Sequence, residues 1–173
     1  MEYVFSDYFK FCEEFNEIQD TKLYEKLKGK MGNSPVTDKD YYFLTINPRP
    51  DIDVQLFLKT ILKALSKRWI TYYEFVLEQR SDTEDFHGVH THIIFNKGIK
   101  HCKVVLEMKN SFKHMCDCSD FHYFNLKNID NDEMIRKTSY ILDRKADPEK
   151  WPKQDMDILF RAKHNLQKSY KST

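Results

Sequence analysis

Residues 69–95 read WITYYEFVLEQRSDTEDFHGVHTHIIF, and the reading of this stretch decides the fold. Its two ends, WITYYEFVLEQ over 69–79 and VHTHIIF over 89–95, are rich in aromatic and β-branched residues, which is strand composition. The middle, RSDTEDFHG, is polar and closes on a glycine, as a loop does. Two strands around one polar loop read as an antiparallel hairpin. Side chains alternate along a strand, so His90 and His92 share one face while Thr91, Ile93 and Phe95 share the other.

Working outward, YYFLTIN (41–47) is another strand signal, closed by Pro48 and Pro50. Asp51 or Asp53 can cap a helix over about 52–66, with Val54, Leu58, Ile61 and Leu65 along one stripe. Behind the hairpin, NKG supplies a turn, and Val104, Val105, Met108 and Phe112 recur at helical spacing over 103–113. FHYFNLKNI (121–129) reads as a strand. Asp130 or Asn131 opens a helix over 132–145 with Met134, Ile135, Thr138, Ile141 and Leu142 inward, and a last helix over 153–168 follows Pro152. The order β-α-β-β-α-β is the split-βαβ, ferredoxin-like plan of an α+β protein. It predicts an antiparallel sheet with helices on one face and an open face that carries the two histidines. Ahead of it, residues 7–18 place Tyr8, Phe11, Cys12, Phe15 and Ile18 on one helical face, and 21–30 suit a second short helix. Residues 1–40 are therefore expected to form a helical extension to a domain over 41–173.

The chain has 173 residues, 40% hydrophobic and 32% charged, which suits one globular domain with a real core. No apolar run approaches the roughly 20 residues of a membrane span. Met1 to Lys10 carries Glu2 and Asp7 where a secretory signal would be basic and then apolar. The expectation is an intracellular protein, neither secreted nor membrane-bound, with reduced thiols at Cys12, Cys102, Cys116 and Cys118. The four glycines, at 29, 32, 88 and 98, exclude the phosphate-cradling G-x-x-x-x-G-K-[ST] loop, G-x-G-x-x-G and G-x-S-x-G. H-E-x-x-H is absent as well. The net charge of +1 hides an asymmetry: residues 136–173 hold ten Lys and Arg against five acidic residues. Such a segment serves a phosphate partner or a solvated helix face equally well.

On the preceding strand Glu78 falls on one face with Glu74, and in a hairpin Glu78 can approach His90 and His92. Two imidazoles and a carboxylate leave positions open, which suits Mn²⁺ or Mg²⁺ with substrate oxygens more than a closed structural zinc. Taken alone, H-x-H in a strand more often marks an ordinary polar face. Tyr140 has Arg136, Lys137 and Arg144 as its i−4, i−3 and i+4 neighbours on a helix over 132–145, an odd setting for a core tyrosine. By spacing alone it remains either structural or a nucleophile. His114, Cys116, Cys118 and His122 lack a familiar zinc-finger spacing, and Phe121 and Tyr123 belong to core or to a base-stacking surface.

Taken in order, FLTINP (43–48), VHTHIIF (89–95) and SYILDRK (139–145) resemble the three motifs of HUH endonucleases. The likeness is to the nuclease domains of replication-initiator (Rep) proteins of circular single-stranded DNA viruses and rolling-circle plasmids, and it covers about residues 41–165. Relaxases carry the tyrosine ahead of the histidines, so the order here favours the Rep branch.

The resemblance implies a site-specific single-stranded DNA endonuclease and strand transferase that initiates rolling-circle replication. Glu78, His90 and His92 would hold Mn²⁺ or Mg²⁺, and Tyr140 would form a 5′-phosphotyrosine link. Asn47, Arg49, Lys97, Lys100, Lys103, Arg136 and Lys137 would contact DNA, an origin stem-loop being the expected partner. Two departures stand out. Thr91 replaces the bulky apolar middle residue of the histidine motif, and Asp143 stands where Y-x-x-K has its lysine. Arg144 or Lys145 would then supply that cation. Viral Reps usually continue into a helicase, whose phosphate loop this chain lacks, so the expectation is a nuclease domain alone, either native or excised from a longer protein in which a helicase domain is C-terminal to this segment, and the host nucleus is the expected location if it is viral. The alternatives are a non-catalytic single-stranded nucleic-acid-binding module and an HUH transposase of a mobile element.

Overall fold

A computed structural model describes residues 40–79, 88–143 and 147–172. The chain divides into two units, Met1–Thr37 and Asp38–Thr173, and all described residues belong to the second. The helices expected over 7–18 and 21–30 lie outside the described residues, as do Arg144 and Lys145.

The elements run β1 (Tyr41–Ile46), α1 (Val54–Leu65), β2 (Tyr73–Gln79), β3 (Val89–Asn96), α2 (His101–Phe112), β4 (Phe124–Ile129), α3 (Asn131–Leu142), α4 (Trp151–His164) and β5 (Tyr170–Lys171). A single 3₁₀ turn, Pro148–Lys150, precedes α4. The strands form one antiparallel sheet in the order β4-β1-β3-β2-β5. This is the α+β split-βαβ arrangement that the sequence order predicts, with β5 added beyond β2.

Alternation along the strands sorts the core. Tyr42, Leu44 and Ile46 of β1, Phe75 and Leu77 of β2, and Ile93 and Phe95 of β3 point to one face. There they meet Phe57, Leu58, Ile61, Ala64 and Leu65 of α1 and Val104, Met108 and Phe112 of α2. Each such side chain, once fully buried, contributes roughly 1.5–3 kcal/mol of transfer free energy. Asp53 starts α1 by accepting the Leu56 N–H at 2.8 Å. The opposite face carries a smaller cluster of Phe43, Val76, Ile94 and Ile129, and Ile141 of α3 packs on it. Helices α1 and α2 thus share one face, whereas α3 lies across part of the other and brings its last turn to the histidine end.

Several boundaries differ from expectation for local reasons. Strand β2 begins at Tyr73 rather than 69, because the Asn96 side chain accepts the N–H groups of both Thr71 and Tyr72 in place of a ladder partner. At Gly98 a Cβ would lie 1.9 Å from the Trp69 carbonyl oxygen, so the β3–α2 turn closes on that segment through glycine. Strand β4 starts at Phe124, since Asp120 holds residues 121–123 in a turn through the His122 N–H at 2.8 Å. Helix α3 ends at Leu142: Asp143 is extended (φ −89°, ψ 166°) while its N–H still caps Ser139. Helix α4 stops at Asn165, which takes the left-handed conformation at φ 52°. Strand β5 had no sequence signal beyond Tyr170, whose ring stacks on Phe75 at 4.7 Å.

Candidate metal centre

The register of the hairpin sets Glu78 of β2 directly opposite His90 of β3, and His92 opposite Val76 on one side and Thr45 of β1 on the other. Because residues two apart share a face, Glu78, His90, His92 and Thr45 converge at one end of the sheet. His90 Nε2 lies 3.0 Å from Glu78 Oε2, and His92 Nε2 lies 3.8 Å from the same oxygen. The three side chains are 13–16% exposed, sheltered yet open on one side. Among the described residues this is the group of three whose ligand atoms gather, all within 4.8 Å of one another.

Two features tune the histidines. Thr45 Oγ1 lies 3.0 Å from His92 Nδ1. When the ring donates its Nδ1–H to that hydroxyl, Nε2 keeps its lone pair facing Glu78. Phe43 stacks on the His92 ring at 5.4 Å with an interplanar angle of 16°, which fixes the ring's plane. The His90 ring stands nearly perpendicular, 5.0 Å away, and its Nδ1 is buried without a hydrogen-bond partner.

The donor set fits a divalent cation. Two ligands each about 2.1 Å from one ion, at octahedral or tetrahedral angles, stand roughly 3.0–3.4 Å apart. The observed 3.0 and 3.8 Å bracket that range. Two neutral imidazoles with one carboxylate leave the ion net positive, with coordination positions for substrate oxygens. Without an ion the same atoms form an ordinary His–Glu hydrogen bond, the chemistry competing with that assignment.

Helix α3 brings the tyrosine to this centre. Its ring lies edge-on to His92 at 6.1 Å, and Tyr140 is 40% exposed. Lys137, one turn earlier, holds its ammonium 5.0 Å above the Phe43 ring and 5.8 Å from the Tyr140 ring. Arg136 is exposed. The helix ends at Leu142, and the cations expected at Arg144 and Lys145 lie outside the described residues.

The remaining expected contacts do not converge here. Asn47 is buried, and its side-chain amide donates to the His122 carbonyl while its backbone N–H donates to Tyr123, tying the end of β1 to the segment before β4. Arg49 is exposed and pairs with Asp51 at 3.4 Å. Lys97, Lys100 and Lys103 are exposed beyond the other end of β3, and at about 3.3 Å per residue Lys97 is roughly 17–23 Å along the strand from the histidines. Glu74 shares the Glu78 face but sits opposite Ile94, and Tyr72 donates to it at 3.4 Å. The sulfurs of Cys116 and Cys118 approach to 3.8 Å, but among the described residues neither His114 nor His122 joins them in a ligand group. Burial pushes the Cys116 thiol up to about 12, so it stays protonated.

The sequence alone assigns no role to Thr45 or Phe43. Both lie in the FLTINP stretch on alternate positions, but their role depends on β1 pairing with β3, which periodicity does not specify. No helix among the described residues is long and apolar enough to cross a membrane. Compared with protein-family models, with curated proteins and with solved structures, the chain finds no match.

Proposed function

We propose that this chain is a metal-dependent, tyrosine-nucleophile endonuclease and strand transferase acting on single-stranded DNA, of the kind that starts rolling-circle replication. The observation that carries the reading is the meeting of three distant stretches at one point. Phe43 and Thr45 from β1, His90 and His92 from β3, and Tyr140 from α3 come together beside Glu78.

Glu78, His90 and His92 would hold Mn²⁺ or Mg²⁺, which supplies Lewis-acid neutralisation of a phosphodiester and so makes phosphorus a better target. The chain's own residues account for the rest. Tyr140 Oη loses its proton and attacks phosphorus; the Oη–P bond forms as the P–O3′ bond breaks, and O3′ takes up a proton. The products are a 5′-phosphotyrosine and a free 3′-hydroxyl, and attack by a 3′-hydroxyl reverses the step and joins ends. Lys137, with its ammonium 5.8 Å from the Tyr140 ring, is placed to offset the negative charge of the attacked phosphodiester. Thr45 orients His92, and Phe43 keeps its plane.

The test is a denaturing gel of labelled single-stranded DNA, both a stem-loop origin of the viral type and a random pool. The protein is incubated with Mn²⁺, with EDTA, and as Tyr140→Phe. A heat-stable adduct that needs metal and Tyr140 is expected. Single-strand binding with no adduct under any metal would make the chain a binding module instead.

A further inference from the structure

Strand β2 is nearly an edge strand. Among the described residues, strand β5 pairs with Glu74 and Phe75 on the outer side of β2 and stops short of the stretch that carries Glu78. Helix α4 covers that gap at two points on one residue. Gln79 N–H donates to Asp157 Oδ1 at 2.8 Å, and the Gln79 side-chain amide donates to the Lys153 carbonyl at 3.3 Å. Both Gln79 and Asp157 are buried, at 3% and 7% exposure. Leu77, on the other side of Glu78, is fully buried in the main core. The backbone of Glu78 is therefore held between a core residue and a clamped one, just where β2 leaves the sheet.

Asp157 is an unusual choice for an edge clamp. A serine or asparagine would accept the same N–H without burying a charge. Burial pushes the Asp157 carboxyl up to about 6 against the Gln79 N–H it accepts, and the Glu78 charge adds to the rise while Arg161 and His90 oppose it. A costly buried carboxylate beside a cluster of ligand type is more often kept for that cluster than for stability.

We propose that Asp157 is a positioning residue of the Glu78–His90–His92 centre, fixing Glu78 through Gln79 so that its carboxylate meets both imidazoles. This rests on the reading of that centre as a divalent-cation site. Residues that orient ligands without touching the metal typically change affinity by about 10–100-fold when removed. A clamp made by an accepted hydrogen bond predicts that asparagine, which keeps the acceptor, replaces aspartate where alanine does not.

The experiment titrates Mn²⁺ into the metal-stripped full chain by calorimetry for wild type, Asp157→Ala, Asp157→Asn and His92→Ala. Melting in EDTA is followed in parallel. Asp157→Ala should bind Mn²⁺ about tenfold more weakly or worse, with Asp157→Asn within about threefold of wild type. Gln79→Ala, which frees the second anchor and leaves Asp157 intact, should weaken binding by about threefold and serves if Asp157→Ala does not fold. Wild-type affinity in Asp157→Ala or in Gln79→Ala, or equal loss in Asp157→Ala and Asp157→Asn, overturns the positioning role. A purely structural clamp would lower melting temperatures and leave affinity unchanged. A wild-type chain that takes up no more Mn²⁺ than His92→Ala would instead remove the cation site itself, and the inference with it.

Discussion

The ring of Tyr140 stands edge-on to the ring of His92, 6.1 Å between centroids, although one rides on α3 and the other on β3. Lys137 lies on the same helix one turn before the tyrosine and reaches over both Phe43 and Tyr140. If it neutralises charge at the reacting phosphate, Lys137→Ala should slow formation of the covalent adduct by about 10²-fold. Single-strand binding in EDTA should weaken far less, by less than about tenfold. Equal losses in both assays would make Lys137 a simple backbone contact.

Thr45 should matter to the metal and little to the fold. Its hydroxyl lies within hydrogen-bond distance of His92 Nδ1, at 3.0 Å. Replacing it with the isosteric valine leaves that nitrogen to choose either tautomer, so Thr45→Val should lower Mn²⁺ affinity by about tenfold, and Thr45→Ser should restore it. Calorimetric titration of the two variants checks this.

Asp157 should leave a signature in the pH dependence of stability. Its folded value is raised to about 6 from an unfolded value near 3.9, so the protonated form suits the folded chain better. That contribution is complete below pH 4 and is lost as pH rises through about 6. Measured by urea unfolding in EDTA, Asp157→Asn should gain on wild type by roughly 2–3 kcal/mol between pH 4 and pH 7. A difference that stays constant over that window contradicts a raised carboxyl.

Strand β5 makes its own test. Tyr170 stacks on the fully buried Phe75 at 4.7 Å with the planes 8° apart, and its hydroxyl accepts the Gln167 N–H at 3.0 Å. Tyr170→Ala should cost about 2 kcal/mol of stability, read from urea unfolding, and leave Mn²⁺ affinity within about twofold. A change in affinity as large as that of Asp157→Ala would mean that the whole outer edge of β2, rather than the Gln79 clamp, positions Glu78.

What could be read in advance follows the range of the interactions involved. The hairpin was legible because period-two alternation around one polar loop fixes which faces His90, His92 and Glu78 share. Helix α1 was legible because Asp53 and a regular apolar stripe are local signals. The end of α3 was not: Asp143 leaves the helix with no glycine or proline to announce it, three residues short of the expected 145. Lys97, Lys100 and Lys103 share a charge pattern, but the strand carries them away from the histidines. Asn47 looks like a surface contact in FLTINP, yet the segment before β4 folds over it and takes its amide. Thr45 and Asp157 act through partners distant in sequence, which no periodicity encodes.

The most direct measurement is to digest the product formed with Mn²⁺ and single-stranded DNA and to locate the nucleotide-bearing peptide by mass spectrometry. The account predicts one modified residue, Tyr140, carrying a 5′-phosphate linkage that disappears in EDTA and in His92→Ala. A linkage at another tyrosine, or one that forms equally without metal, would contradict it.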